Sequence, residues 1–255
     1  MKIGLSILAV FFAALSSAQL QINEVCSNNE TLIYDASGTT PDFVELLNSG
    51  STSINLSDYY LSDKQDNLMF WQLPNEELAS GELVVIWCTD EVSGTNYAPF
   101  RLNSSGEVLF LSTAEGDLDY AQIPALQSNH CYGRKPGSSN WHLFERGSPG
   151  EHNTYKGYLG YAEAPTFSVV PGFYSDAVNL ELNSLSDDIF FTTSGSDPRL
   201  LGEVYSGPLA IDSTQVIKCV SIKPGYLWSE VVTGTFFIGV DKFLPVFSIS
   251  CEPED

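Results

Sequence analysis

Basic side chains are scarce in this chain of 255 residues. It contains 11 Lys and Arg against 32 Asp and Glu, which gives a formal net charge of −21 at pH 7. Nucleic-acid binding needs Lys and Arg to neutralise phosphates, and anionic lipid attracts the same side chains. The composition therefore argues against nucleic acid as a partner, and it predicts a soluble, acidic surface.

The sequence also lacks the common catalytic and metal-binding motifs. No HExxH, no GxSxG around a serine, no EF-hand spacing and no CxxC pair is present. We therefore predict that the chain is not an enzyme and assign no catalytic residue. The five cysteines are an odd number, so at least one has no partner within the chain, and the pairing stays open. Cys88 follows the apolar run 83–87, which predicts a buried free thiol.

Long apolar runs are absent except at the start of the chain. Lys2 precedes an apolar stretch over residues 3–15, and the small residues of 16–18 follow. This order predicts a secretory signal peptide over residues 1–18, cleaved after Ala18. No later run is long enough to span a bilayer, so we expect no membrane span after cleavage and a secreted or cell-surface location.

The mature chain alternates short β-rich runs with clusters of Gly, Ser, Asn and Asp. The predicted strands include residues 20–25, 43–47, 83–87, 108–111 and 236–238. Regular spacing of strands and turns, without a long stripe at helical period, predicts an all-β fold with few helices. A Gly- and Pro-rich stretch interrupts the pattern, which predicts domains at 19–153 and 164–239 joined by a linker at 154–163.

The first domain carries an ordered series of motifs. They are Ile22-Asn23-Glu24-Val25, Asp42 to Asn48, Leu56 to Asp63, Gly81 to Ile86, Phe100 to Asn103, Ser105-Gly106-Glu107, Tyr132-Gly133-Arg134, Ser148-Pro149-Gly150 and Asn153. This series resembles a lamin tail domain of the bacterial, secreted kind. The resemblance implies an immunoglobulin-like β-sandwich that acts as a binding or structural module.

The second domain carries another series. It includes Pro171 to Tyr174, Ile189 to Pro198, Tyr205 to Leu209, Val216 to Val220, Lys223-Pro224-Gly225-Tyr226 and Thr235 to Ile238. It is similar to the chitobiase/β-hexosaminidase C-terminal domain, although Thr192-Thr193-Ser194 departs from that family's usual pattern. The resemblance implies a fibronectin type III-like sandwich that accompanies glycosidases without being their catalytic part.

The segment 240–255 is interpreted as a tail or as the start of a further, truncated domain. Leu244 to Ser250 resembles the opening of the spore-coat-protein-H kinase-like domain. In that case Cys251 would find its partner downstream.

Glu24 and Glu45 lie in two predicted strands. If those strands pair, the two carboxylates approach each other and either share a proton or hold a hard cation such as Ca²⁺, with Asp42 as a further oxygen ligand. Hydrogen-bonded or solvated acids are the ordinary alternative. Ca²⁺ is the one cofactor that the sequence suggests.

Aromatic side chains are plentiful, and most are expected to be core or half-buried residues. The alternative is an aromatic platform for sugar, for which Trp71 and Trp141 are the candidate ligand contacts.

Three functions therefore stay open at this point. The first is a secreted or cell-surface, non-catalytic pair of binding or structural modules, whose partner is an extracellular polymer or protein. The second is the N-terminal accessory region of a longer secreted kinase-like protein, and the third is a carbohydrate-binding appendage.

Overall fold

The computed structural model describes residues 19–91, 94–185 and 188–240, with only the backbone of Asp117. Residues 19–139 and 146–154 form one compact unit, and residues 140–145 and 155–240 form a second. This division differs from the predicted one because residues 140–145 and residues 155–163 of the predicted linker group with the second unit. The predicted signal peptide and residues 241–255, including the kinase-like motif, lie outside the described residues.

The first unit is built from eleven strands and a short 3-10 helix at Leu56–Asp58 among the described residues. Its strands are β1 (Leu20–Cys26), β2 (Asp42–Asn48), β3 (Ile54–Asn55), β4 (Tyr59–Ser62), β5 (Trp71–Gln72), β6 (Glu77–Leu78), β7 (Leu83–Cys88), β8 (Tyr97–Ala98), β9 (Glu107–Thr113), β10 (Gly116–Ile123) and β11 (Cys131–Arg134).

Two sheets carry most of this unit. The strands of the larger sheet run in the order β11-β1-β2-β7-β8, and the smaller sheet runs β10-β9-β4-β5. Fully buried aliphatic side chains from both sheets make the core, as in a β-sandwich. They are Leu20, Ile22, Val44, Leu46, Leu61, Ile86, Leu109 and Leu111.

Strand β2 is buried on both faces, because its pattern from Phe43 to Asn48 contains no exposed position. Val44 and Leu46 alternate with Phe43 and Glu45, so these two pairs point to opposite faces of the sheet. On the face of Phe43, a small apolar cluster joins Cys26, Phe43 and Cys131. At β2 the larger sheet is therefore covered on both faces, and the face that carries Phe43 and Glu45 is also buried.

The second unit begins with β12 (Trp141–Phe144), which exchanges two backbone hydrogen bonds with Tyr158 through Leu143. Its further strands are β13 (Thr166–Phe167), β14 (Gly172–Tyr174), β15 (Val178–Leu180), β16 (Leu182–Asn183), β17 (Asp188–Thr192), β18 (Glu203–Val204), β19 (Leu209–Ile211), β20 (Gln215–Ile222) and β21 (Val232–Ile238).

A five-stranded sheet in the order β14-β21-β20-β17-β18 dominates the second unit, with two-stranded pairs β13-β16 and β15-β19. The pairing of β14 with β21 is parallel, whereas its other strands pair antiparallel. Its core is the buried set Leu180, Leu182, Ile189, Ile211, Ile217, Cys219 and Phe236.

The predicted all-β architecture of two sandwich domains is confirmed. Each predicted strand is present within one to four residues of its predicted ends. Among the described residues of the second unit, a four-residue helix spans Pro198–Leu201, and the Asp197 side chain caps it by accepting the Arg199 N–H. Over the described ranges, no helix is long and apolar enough to cross a membrane.

Candidate functional site

Glu24 and Glu45 lie directly opposite each other in the register of β1 and β2. Both side chains are completely buried, at 0% exposure. A register shift between Ile22 and Glu24 bulges β1 at this point, and the bulge turns Glu24 to the same face as Glu45. The structure thus brings together the two carboxylates that the sequence placed in neighbouring strands.

The turn at residues 148–150 closes over these carboxylates. Glu24 Oε2 accepts the backbone N–H of Ser148 at 3.0 Å, and Glu45 Oε2 accepts the backbone N–H of Gly150. Glu45 Oε1 accepts the Asn23 side-chain amide at 2.6 Å. Buried backbone donors need partners, and here carboxylates from residues more than a hundred positions away supply them.

Asn153 ties the same turn to the sheet. Its side-chain amide donates to the carbonyl oxygens of Asn23 and Arg134, at 3.2 and 3.0 Å, and its Oδ1 accepts the hydroxyl of Ser148. Gly133 leaves the room for this amide, because a Cβ there would lie 2.7 Å from Asn153 Nδ2. The motifs around Gly133, Ser148 and Asn153 thus form one buried polar network.

Burial controls the protonation of the pair. Loss of solvation raises the pKa of Glu24 to about 8, with the Ser148 N–H opposing the rise and the charge of Glu45 adding to it. Burial likewise raises the pKa of Glu45 to about 7, opposed by the Gly150 N–H and the Asn23 amide. Burial therefore favours the protonated form of both acids up to about neutral pH.

The raised pKa values of the two acids would suit general acid–base chemistry, but their burial denies them the access that such chemistry needs. Both carboxylates are fully buried, and three of their four oxygens accept hydrogen bonds from the protein. A catalytic acid or base must reach the proton that it transfers, directly or through one water. The arrangement fits a buried cap for the turn at 148–150.

Asp42 lies at the start of β2, three residues before Glu45. Its carboxylate accepts the backbone N–H of Asn29 at 3.3 Å, and burial raises its pKa to about 6. Within the ranges 19–91, 94–185 and 188–240, no group of three or more His, Cys, Asp or Glu is arranged to hold a metal ion. The geometry gives the calcium hypothesis for Glu24, Glu45 and Asp42 no support.

The two candidate sugar-contact tryptophans lie in different units. Trp71 is half-buried in β5, opposite Leu61 of β4, and Trp141 is half-buried in β12. Neither lines the two cavities described below, and their contact with a ligand stays a prediction. The predicted buried free thiol at Cys88 is confirmed.

A cavity of about 350 Å³ opens in the second unit. Its walls carry three aromatic rings, two lysines and two carboxylates. The lining residues are Glu145, Lys156, Tyr158, Asp188, Ile222, Lys223, Pro224, Gly225, Tyr226, Leu227 and Trp228. We call this cavity the aromatic pocket.

Sequence reasoning missed the aromatic pocket. One of its walls, residues 223–226, was recognised as a motif but given no role, and residues 156 and 158 were predicted to be linker. The first unit has a more open cavity of about 430 Å³ beside Trp87 and Tyr97. The Tyr97 hydroxyl donates to Asp35 there, and the lining carries no cluster of charged side chains.

Comparison with known families agrees with the two resemblances. Residues 13–124 match the family model of the Lamin Tail Domain, and residues 169–233 match that of the Chitobiase/beta-hexosaminidase C-terminal domain. No curated protein and no solved structure matches the chain significantly. The comparisons do not show the kinase-like resemblance of residues 244–250, which stays a prediction.

Proposed function

We propose that this chain, with one region similar to lamin tail domains and another similar to chitobiase C-terminal domains, is a non-catalytic pair of binding or structural modules that works outside the cell. The observation that carries the proposal is that Glu24 and Glu45, which we call the facing acids, are used inside the fold. Their carboxylate oxygens accept backbone N–H groups from the turn at 148–150.

The composition supports an extracellular role. The predicted signal peptide at residues 1–18 would direct the chain to export, and the acidic surface keeps a secreted protein soluble. The same charge disfavours polyanionic partners, so the partner we propose is a cell-surface or extracellular polymer that carries little negative charge.

One experiment measures binding and catalysis together. The purified mature chain is mixed with insoluble cell-surface polysaccharide, and both the protein that co-sediments and the reducing ends that are released are measured. We expect co-sedimentation without release. Release of reducing ends that disappears in Glu24→Gln and Glu45→Gln would overturn the proposal, because the buried pair would then be catalytic.

Export is tested separately in cells that produce the full chain. We expect the secreted protein to begin at Gln19, as read by N-terminal sequencing. The matched variant Ile7→Lys, which places a charge inside the apolar run of the signal peptide, should abolish secretion. A product that remains inside the cell and keeps residues 1–18 would contradict the extracellular part of the proposal.

A further inference from the structure

One wall of the aromatic pocket is a turn with little conformational freedom. The Tyr226 N–H donates to the Lys223 carbonyl at 3.0 Å, which closes a four-residue turn. Pro224 and Gly225 occupy its centre, and Gly225 has φ +81°, the combination that a type II turn requires. The turn therefore holds Lys223 and Tyr226 in fixed positions at its two ends.

Backbone hydrogen bonds between neighbouring segments hold a further part of the pocket wall. Leu159 N–H donates to the Gly225 carbonyl, and Leu227 N–H donates to the Gly160 carbonyl, both at 2.9 Å. Tyr158 is tied to Leu143 in the same way, which brings the end of β12 alongside. The pocket is built on paired backbone segments, so its side chains converge before any ligand arrives, as in most small-molecule sites.

Three rings line the pocket with part of their surface exposed. Tyr158, Tyr226 and Trp228 are all half-buried. Trp228 packs edge-on against Phe190, with ring centroids 5.3 Å apart, and this contact holds it in place. Aromatic rings held at a wet surface present flat apolar faces beside polar groups.

Within the described residues, no carboxylate forms an ion pair with either lysine of the pocket. Lys156 lies over the Tyr158 ring at 4.6 Å, and Lys223 lies over the Tyr226 ring at 4.6 Å. Neither belongs to any of the ion pairs found in the described part of the chain. Two of the few cations of this acidic protein therefore face one cavity, with their N–H donors still available to a ligand.

The charges around the pocket select the chemistry of that ligand. An anion would meet Lys156 and Lys223 but also Glu145 and Asp188, and a cation would meet the same conflict in reverse. A hydroxyl group both donates and accepts hydrogen bonds, so a ligand with many hydroxyls satisfies lysines and carboxylates together. A pyranose ring adds an apolar face of C–H groups to pack on the aromatic rings.

We propose that the aromatic pocket of the second unit binds an uncharged sugar unit of an extracellular polysaccharide. The rings of Tyr226 and Trp228 pack against the sugar, and the lysines and carboxylates hydrogen-bond its hydroxyls. This inference deepens the proposed binding function by naming the site and the class of its ligand.

The test uses the full mature chain and an array of neutral oligosaccharides that covers the common hexose, pentose and N-acetylhexosamine linkages. We expect binding to at least one neutral oligosaccharide, confirmed by titration calorimetry. Oligogalacturonate and oligoglucosamine serve as the anionic and cationic comparison probes, and we expect both to bind at least roughly fivefold more weakly than the neutral ligand, the size of about 1 kcal/mol.

Variants then locate the site. Tyr226→Ala should abolish binding, and Lys223→Met should weaken it roughly fivefold, as expected for one partly exposed charged contact. Lys64→Met is the matched control, because Lys64 also lies over an aromatic ring, that of Phe70 at 3.5 Å, but in the first unit. Tyr155→Ala controls for loss of an exposed tyrosine outside the pocket lining. Thermal unfolding of each variant identifies any that fail to fold, and Trp228→Phe provides a milder ring substitution.

Each outcome has one meaning. Neutral binding that is lost in Tyr226→Ala but kept in both controls supports the proposal. Failure of every neutral oligosaccharide, preference for a charged probe, or binding unaffected by the pocket variants would overturn it. In those cases co-sedimentation with insoluble polysaccharide still tests the broader function, so the two proposals fail separately.

Discussion

Arg134 and Asp119 form a two-pronged ion pair that joins the two sheets of the first unit. The Arg134 guanidinium reaches both Asp119 oxygens, at 2.5 and 2.8 Å, and also the Ile22 carbonyl at 3.0 Å. Asp119 in turn accepts the Ile22 N–H at 2.9 Å. The pair therefore supplies hydrogen-bond partners to both backbone groups of Ile22, the residue that precedes the bulge in β1.

Removing Arg134 should leave a mostly buried carboxylate without its cation, since the two side chains are only 11% and 14% exposed. We expect Arg134→Ala to lower the free energy of unfolding by about 3 kcal/mol in denaturant titration. Arg101→Ala is the matched control, because the Arg101–Asp90 pair is 65% and 69% exposed and should contribute less than about 1 kcal/mol. Equal losses in the two variants would contradict this assignment.

The facing acids predict a pH dependence of stability. The folded-state pKa values of Glu24, about 8, and Glu45, about 7, lie above the ordinary value of 4.5. Between these values the folded protein therefore binds more protons than the unfolded chain does. Their contribution to the free energy of unfolding is complete below about pH 4.5 and is lost as the pH rises to about 8. The free energy of unfolding then falls by up to about 1.4 kcal/mol per pH unit for each proton. Denaturant titrations at a series of pH values measure it.

Glu24→Gln isolates this contribution. The Gln carbonyl can still accept the Ser148 N–H, and the side chain no longer titrates. We expect the variant to lose less stability than the parent between pH 5 and pH 8. The exposed Glu30→Gln serves as the control and should keep the parent profile. A parent and a Glu24→Gln variant with parallel profiles would show that Glu24 is ionised throughout.

Gly133 should tolerate no side chain. A Cβ there would meet Asn153 Nδ2 at 2.7 Å and the Asn23 carbonyl at 2.8 Å, so Gly133→Ala must displace a backbone group as well as a side chain. We expect a loss of about 2 kcal/mol in the free energy of unfolding, the usual size for overpacking. Gly207→Ala, where a Cβ meets nothing within 4 Å, should change stability by less than about 0.5 kcal/mol.

The buried thiols should be unreactive in the folded protein. Cys26, Cys88, Cys131 and Cys219 are free and buried, and burial raises the pKa of Cys219 to about 12 and that of Cys88 and Cys131 well above the ordinary range. Thiolate is the reactive form. In a Cys251→Ser background, we expect a disulfide reagent to label four thiols only after guanidinium unfolding. Rapid labelling of the native protein would contradict this expectation.

Much of the fold could be predicted from the alternation of side chains along the strands. The predicted run at 43–47 matches β2, and the chain turns directly after it, where Asn48 Oδ1 accepts the Gly50 N–H. Both rest on local chemistry, alternation of side chains and the ability of Asn to bond its own backbone. The approach of Glu24 to Glu45 was predicted only on the condition that their two strands pair, and the register of β1 and β2 meets that condition.

The role of Glu24 and Glu45 could not be predicted from the sequence. Whether two facing acids hold a cation, share a proton or cap a turn depends on what covers them, and the cover, residues 148–150, is remote along the chain. The aromatic pocket was missed for the same reason. The turn at 223–226 is visible locally, but its partners around Tyr158 come from a stretch whose polar composition predicted a linker.

The hydrogen bonds from Ser148 to Glu24 and from Gly150 to Glu45 span 124 and 105 residues. A nascent chain therefore produces both acids long before the turn that covers them, and contacts of such high sequence separation form late and slowly. Until the ribosome has passed residue 150, strands β1 and β2 carry two acids whose backbone partners do not yet exist. With ordinary pKa values in an open chain, those acids are charged, and the growing segment stays hydrated at the place where the folded domain buries both side chains completely.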